Sequence, residues 1–202
     1  MDLLKSLVSG FVEIKDVKTG EILVSKSNAI HYENFSIAIA NSLAAGPTNA
    51  SLASGFFYQM AFGNGGTTVS ATGIVTYNPP NTVGISSALY NQTYQKVINQ
   101  NFATDPDTVN NNLTILHTTG KAYTDILATC LLDYGEPAGQ AAFDNTTTFA
   151  DEYVFDELGI LSSSGQLLTH VIFNPIQKSL NRLIEITYTI RCQTLTNLTG
   201  TN

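Results

Sequence analysis

The sequence predicts a mainly β fold: an antiparallel β-sandwich or jelly-roll-like barrel with one short helix near residues 31–44. Three observations predict it. Short apolar runs alternate with polar residues at a period of two, Asn-, Pro- and Thr-rich connections separate them, and only one segment keeps a clear helical period. The 202 residues suffice for one domain with a substantial core. The expected organisation is an N-terminal arm (1–9), a single β domain (10–196) and a C-terminal tail (197–202).

Gly10 to Lys26 reads as a β-hairpin, with Val12 and Ile14 alternating against Phe11, Glu13 and Lys15, and Lys18-Thr19-Gly20 as the turn. From His31 to Leu43, Tyr32, Phe35, Ile39 and Leu43 recur at helical steps, and Gly46-Pro47 supplies a stop. Phe56 to Phe62 is an apolar strand. Shorter strands follow at Gly73–Tyr77, Tyr94–Ile98, Leu113–His117 and Ile126–Leu132. Gly135 to Thr148 is a long loop suited to partner contact. Val154–Leu161 and Gln166–Phe173 flank Ser162-Ser163-Ser164-Gly165 as a second hairpin. In the last strand Ile184, Ile186, Tyr188, Ile190 and Cys192 share one face, with Glu185, Thr187, Thr189 and Arg191 opposite.

Composition narrows the function. Apolar residues make up 43%, which excludes wholesale disorder, while charged residues make up only 12%, against an ordinary ~25%. Neutral polar residues fill the gap, with 25 Thr and 18 Asn. A net charge of −7 argues against binding nucleic acid through its phosphates.

The charge is also unevenly spread. Between Lys26 and Lys96 only Glu33 is charged, and between Lys121 and Lys178 eight acids stand without a lysine or arginine. Burial of the uncharged stretch against other subunits explains the first deficit, because interface cores are depleted of charge. A Thr/Asn-covered solvent face is the alternative.

The N-terminus has an acid at position 2 and only a short apolar grouping, Leu3, Leu4, Leu7 and Val8. It therefore lacks the basic start and long apolar run of a secretory signal. No run approaches the ~18 apolar residues of a membrane helix, so no membrane partner is expected. In that setting the Asn-x-Ser/Thr triplets, such as those at Asn49, Asn91, Asn112, Asn145 and Asn197, carry no glycosylation meaning. Cys130 and Cys192 sit among apolar neighbours and read as small buried hydrophobes rather than a bridge or a zinc site.

Candidate chemistry is sparse. His31, His117 and His170 are far apart in sequence and in no ligand spacing. For His170, inside a strand, a hydrogen-bonded and partly buried imidazole is the simpler reading, and a metal or catalytic role the sharper one. Gly63-Asn64-Gly65-Gly66-Thr67-Thr68 follows a strand like a phosphate cradle but lacks a P-loop lysine; a tight turn with positive φ accounts for its glycines.

Asp105, Asp107, Asn110 and Asn112 offer oxygen ligands for calcium, but Val109 and Asn110 break the EF-hand pattern, leaving a turn-rich loop. The pairs Asp151-Glu152 and Asp156-Glu157 suggest a glycosidase dyad or, more simply, a solvated edge, and the chain has no Trp to stack on sugars. No Gly-x-Ser-x-Gly, His-Glu-x-x-His or dinucleotide fingerprint occurs. Neither an enzyme nor a cofactor is expected.

Several blocks in order carry a resemblance. They are Gly10-Phe11-Val12-Glu13-Ile14-Lys15-Asp16 with Thr19-Gly20-Glu21, Asn28-Ala29-Ile30-His31-Tyr32-Glu33-Asn34, and Met60-Ala61-Phe62-Gly63-Asn64-Gly65-Gly66-Thr67. Then come Glu157-Leu158-Gly159-Ile160, Gly165 to Phe173, Pro175, Lys178-Ser179-Leu180-Asn181-Arg182 and Tyr188-Thr189-Ile190. Together, over roughly residues 10–195, they resemble virion structural proteins of tailed bacteriophages, especially cyanophage-type ones.

The resemblance implies a non-enzymatic virion subunit made in the host cytoplasm, and it brings no active site. The expectation is a capsid decoration or cement protein bound to the major capsid protein, with a trimer as the guessed oligomer. A neck, tail or baseplate position, or a module binding host-surface glycan, are the alternatives. Leu3, Leu4, Leu7 and Val8 of the arm, with Pro137 and Phe143 of the long loop, are the expected partner contacts.

Overall fold

The computed structural model of the chain describes residues 4–31, 34–35, 39, 57–100, 104–105, 107–137, 154–179 and 181–196. These form β1 (Leu4–Asp16), β2 (Ile22–Ser27), β3 (Ala29–Ile30), β4 (Phe57–Gly63), β5 (Thr67–Val69), β6 (Val75–Tyr77) and β7 (Gln92–Val97). They continue with β8 (Asn112–His117), β9 (Tyr123–Leu132), β10 (Val154–Ser162), β11 (Thr169–Gln177) and β12 (Ile184–Thr196). Two five-stranded antiparallel sheets, β2-β1-β12-β9-β8 and β3-β11-β10-β4-β7, face each other, and β5-β6 is a separate hairpin. Neither sheet closes on itself, so the fold is a sandwich and not a barrel.

Alternation places the core. In β12, Ile184, Ile186, Tyr188 and Ile190 are wholly buried, and their neighbours across the ladder are Val12 and Ile14 of β1 and Ala128, Cys130 and Leu132 of β9. The second sheet answers with Met60 and Phe62 of β4, Phe155, Leu158 and Ile160 of β10, and Val171 and Phe173 of β11. Phe155 meets both Phe62 and Phe173 edge-on at 5.8 Å, a favoured aromatic geometry.

The β1–β2 turn is fixed by Asp16, whose carboxylate accepts the Lys18 and Thr19 amides at 3.0 Å each. Gly20, at φ 77°, takes the left-handed position. The expected arm is described from Leu4 onward, and Leu4 to Ser9 form the first half of β1, paired with Thr196 to Arg191.

Of the expected helix, Asn34, Phe35 and Ile39 are helical, and the Phe35 amide bonds the His31 carbonyl at 2.9 Å. Phe35 packs on Phe57 at the core's end. Tyr32 and Leu43 lie outside the described residues, as does most of the 135–148 loop.

Three lysines fasten one sheet to the other through backbone carbonyls. Lys26 of β2 donates to Ile172 O on β11 at 2.8 Å, and Lys96 of β7 donates to Leu131 O on β9 at 2.7 Å. Lys178, just past β11, donates to Asp133 O just past β9 at 2.9 Å. Arg182 adds a fourth tie, bonding Asp16 at 2.6 Å and the Gln177 carbonyl at 2.9 Å.

Candidate functional site: a buried carboxylate clamp

Among the described residues, two adjacent acids, Asp156 and Glu157, and His170 beside them are buried on the outer side of β10. Glu157 stands opposite Gly63 of β4 and Ile172 of β11. His170, two residues before Ile172 on β11, reaches the same face. Adjacent strand residues normally point to opposite faces, but the β10–β11 register shifts between Phe155 and Glu157. That irregularity at Asp156 lets both acids address one loop.

The loop is Gly63-Asn64-Gly65-Gly66-Thr67. Glu157 Oε1 accepts the Gly65 amide at 3.1 Å and the Asn91 amide at 2.7 Å, and Oε2 accepts the Tyr90 amide at 2.9 Å and His170 Nε2 at 3.0 Å. Asp156 accepts the Gly66 amide at 2.9 Å, the Thr67 amide at 2.8 Å, and the Thr67 hydroxyl. His170 Nδ1 in turn accepts the Asn81 amide at 2.9 Å. Since that nitrogen is an acceptor, the imidazole is neutral and carries its proton on Nε2.

Electrostatics differ between the two acids. Burial pushes Glu157 upward, but the His170 bond and the Asn91 and Tyr90 amides outweigh it and hold this carboxyl below its ordinary range. For Asp156 burial prevails over the Thr67 and Gly66 bonds, and its carboxyl sits above its ordinary range.

Four donors saturate the Glu157 carboxylate, leaving it no free lone pair for a substrate proton. The arrangement can anchor backbone; it is not poised for proton transfer.

The glycine-rich loop is therefore a cradle of backbone amides after all, but the anions it holds are the chain's own. Positive φ does not explain its glycines: none of Gly63, Gly65 and Gly66 lies in the left-handed region. Close approach does. A Cβ on Gly63 would fall 2.4 Å from Asn91 O and 2.5 Å from Glu157 Oε1, and one on Gly65 would fall 2.7 Å from the Asn91 amide nitrogen. Asp156 and Glu157 are likewise not a solvated edge, since every residue of β10 is buried. On one side lies the sandwich core. On the other lies the 64–91 excursion, where Leu89 packs on Ala61, Leu161 and Leu167.

The other sequence candidates stay apart. His31 is buried and bonds Gly84 O at 3.1 Å, while exposed His117 bonds the Thr124 hydroxyl at 3.0 Å. Asp107 turns both carboxylate oxygens onto Asn110, at 3.2 Å to its amide and 2.8 Å to its side chain, an Asx-type turn rather than a ligand set. Among the described residues no cluster of His, Cys, Asp or Glu could hold a metal ion. Cys130 and Cys192 are free thiols, the former wholly buried and pushed up to about 12 by that burial.

Of the expected contact residues, Leu7 is exposed, Val8 packs against the core and Pro137 is buried. Leu4 is described as part of β1, opposite Thr196. Leu3, Phe143 and the Asp151-Glu152 pair lie outside the described residues.

Sequence reasoning misses the clamp because an Asp-Glu pair looks solvated by default. The available signal is its setting: in Val154-Phe155-Asp156-Glu157-Leu158-Gly159-Ile160-Leu161 the two acids interrupt an otherwise apolar strand, and such a strand is buried on both faces. Comparisons with protein-family models, curated proteins and solved structures find no match to this chain.

Proposed function

We propose that this chain is a non-enzymatic structural subunit of a tailed-bacteriophage virion, acting as a capsid decoration protein on the assembled head. The observation that carries the reading is where the resembling blocks fall. Gly10–Asp16 and Asn28–Asn34 meet where the Asn28 amide bonds Gly10 O at 3.1 Å. Met60–Thr67, Glu157–Ile160 and Gly165–Phe173 contain the cradle, the clamping carboxylate and His170. Lys178–Arg182 contains two of the ties between the sheets. The blocks that carry the resemblance thus form a bonded framework, which suits a subunit whose work is to hold its shape.

The use of charge points the same way. Lys26, Lys96 and Lys178 bond the chain's own carbonyls, and Asp16, Asp125 and Glu157 bond its own donors. A decoration protein stabilises a shell by mass action, because it binds the assembled lattice and not the separate capsid subunits. Its acidic surface, at net −7, complements a basic shell.

Quantitative mass spectrometry of purified virions tests the reading. A copy number comparable with that of the major capsid protein supports the shell position. A single ring's worth moves the protein to the neck, tail or baseplate, and absence from the particle ends the virion reading.

A further inference from the structure

We propose that the uncharged outer surface of the 70–91 excursion, centred on Val83 and Ile85, is the contact between copies of this chain. The inference rests on reading the chain as an assembling subunit and specifies which surface assembles and with what.

The tip is built as a rigid knob. Asn81 Nδ2 donates to Ala88 O at 2.7 Å and the Tyr90 hydroxyl donates to Pro79 O at 2.8 Å, closing the neck of the loop twice. Inside the loop, the Ser87 amide bonds Gly84 O at 2.9 Å and the Ser87 hydroxyl bonds Val83 O. His31 is wholly buried; its Nδ1 accepts the Asn34 amide, so Nε2 donates to Gly84 O at 3.1 Å. Gly84, at φ +92°, permits that inward turn of the backbone. On either side of it Val83 and Ile85 project with 56% and 54% of their surface exposed, and Ile74 and Tyr90 are also exposed. A loop pinned this way loses little conformational freedom when it docks.

Charge selects the occupant. Residues 57–95 contain no Asp, Glu, Lys or Arg, whereas the whole chain carries −7. A basic partner would gain nothing from such a surface and would bind the acidic remainder of the molecule instead. Two copies, each at −7, approach closely at least cost through an uncharged face. Two apolar residues exposed still further, Val109 and Ile115, lie respectively before and on edge strand β8. There the Gln100 amide already covers part of the edge, accepting from the Leu113 amide at 2.7 Å and donating to its carbonyl at 2.9 Å.

The test is sedimentation equilibrium of the full chain over a concentration series at low and high sodium chloride. The wild type is expected to associate reversibly, and more tightly at high salt, where repulsion between like-charged copies is screened. V83D/I85D, altering two exposed side chains, should keep the wild-type melting temperature and weaken association by roughly a hundredfold or more. V109D should associate as the wild type does.

A monomeric wild type at every concentration and salt overturns the proposal. So does association that survives V83D/I85D, or that V109D removes equally. Co-sedimentation of the wild type, but not V83D/I85D, with phosphatidylcholine vesicles would instead assign the knob to a lipid surface. A monomer that is nonetheless abundant in virions would refute this contact while leaving the virion reading intact.

Discussion

His170 Nε2 donates to Glu157 Oε2 at 3.0 Å, and both side chains are wholly buried. The bond joins neighbouring strands β11 and β10, yet its larger effect is on a loop far away in sequence, because each partner also holds a backbone amide of residues 81–91.

Replacing His170 by Phe keeps an aromatic ring but removes both bonds. Glu157 then loses a donor, the Asn81 amide loses its acceptor, and a loss of about 3 kcal/mol is expected for stranding a buried carboxylate's partner. Urea denaturation measures it, and a loss below ~1 kcal/mol would show that water replaces the imidazole.

Glu157→Gln places an NH2 where Tyr90 N–H or His170 N–H now donates, so donor faces donor. Beyond lost stability, the amides of Asn81, Tyr90 and Asn91 should exchange hydrogen faster than in the wild type, while those of β12 keep their relative order. Uniform acceleration across the protein would mean that Glu157 supports the whole sandwich and not the excursion in particular.

The two adjacent acids should give opposite pH signatures. Glu157, held low, stabilises the fold above the ordinary glutamate range, and that contribution is lost as pH falls through its depressed value. Asp156, held high, contributes stability that is present at low pH and fades as pH rises through its raised value. The stability difference between wild type and Glu157→Gln should therefore shrink on acidification, and that between wild type and Asp156→Asn should grow. Parallel slopes in the two comparisons would contradict the assignment.

Lys178 provides an alkaline counterpart. Burial lowers it to about 8, whereas an unfolded lysine titrates near ~10.4. Between those values the unfolded chain binds more protons, so this group's contribution to stability rises with pH. Relative to Lys178→Met, the wild type should gain stability from pH 8 to about 10, a difference read by chemical denaturation at each pH.

Two glycine substitutions separate close approach from mere turn preference. Gly63→Ala meets Asn91 O and Glu157 Oε1 and should cost about 1–3 kcal/mol. Gly135→Ala meets nothing within 4 Å and has no positive φ, so it should be neutral or slightly stabilising. Melting temperatures of the pair decide it.

The legible parts of this fold are those where burial is one-sided. β12 announces itself because Ile184, Ile186, Tyr188 and Ile190 face the core while Glu185 and Arg191 do not. The β1–β2 and β10–β11 hairpins follow from Lys18-Thr19-Gly20 and Ser162 to Gly165 in the same way. β10 itself hides its most informative residues, because a strand covered on both faces has no alternation to read and its acids look misplaced until the 64–91 excursion is laid over them. The cradle hides for a similar reason: the need for glycine at 63 and 65 arises from Asn91 and Glu157, which are near only in the folded chain. Local sequence carries turn chemistry and periodicity; it does not carry which distant backbone will press against a given Cα.

The ladder of β1 on β12 has a mechanical consequence. Leu4 pairs with Thr196 at one end and Asp16 with Ile184 at the other, so both strand ends leave the sandwich on the same side. Tension applied at Leu4 and Thr196 would peel this ladder one pair at a time, the weak direction for an antiparallel pair, instead of shearing all its bonds together. The molecule is poorly suited to bear load as a link in a string. Force delivered across its faces, from one sheet to the other, is resisted by the core and the lysine ties at once.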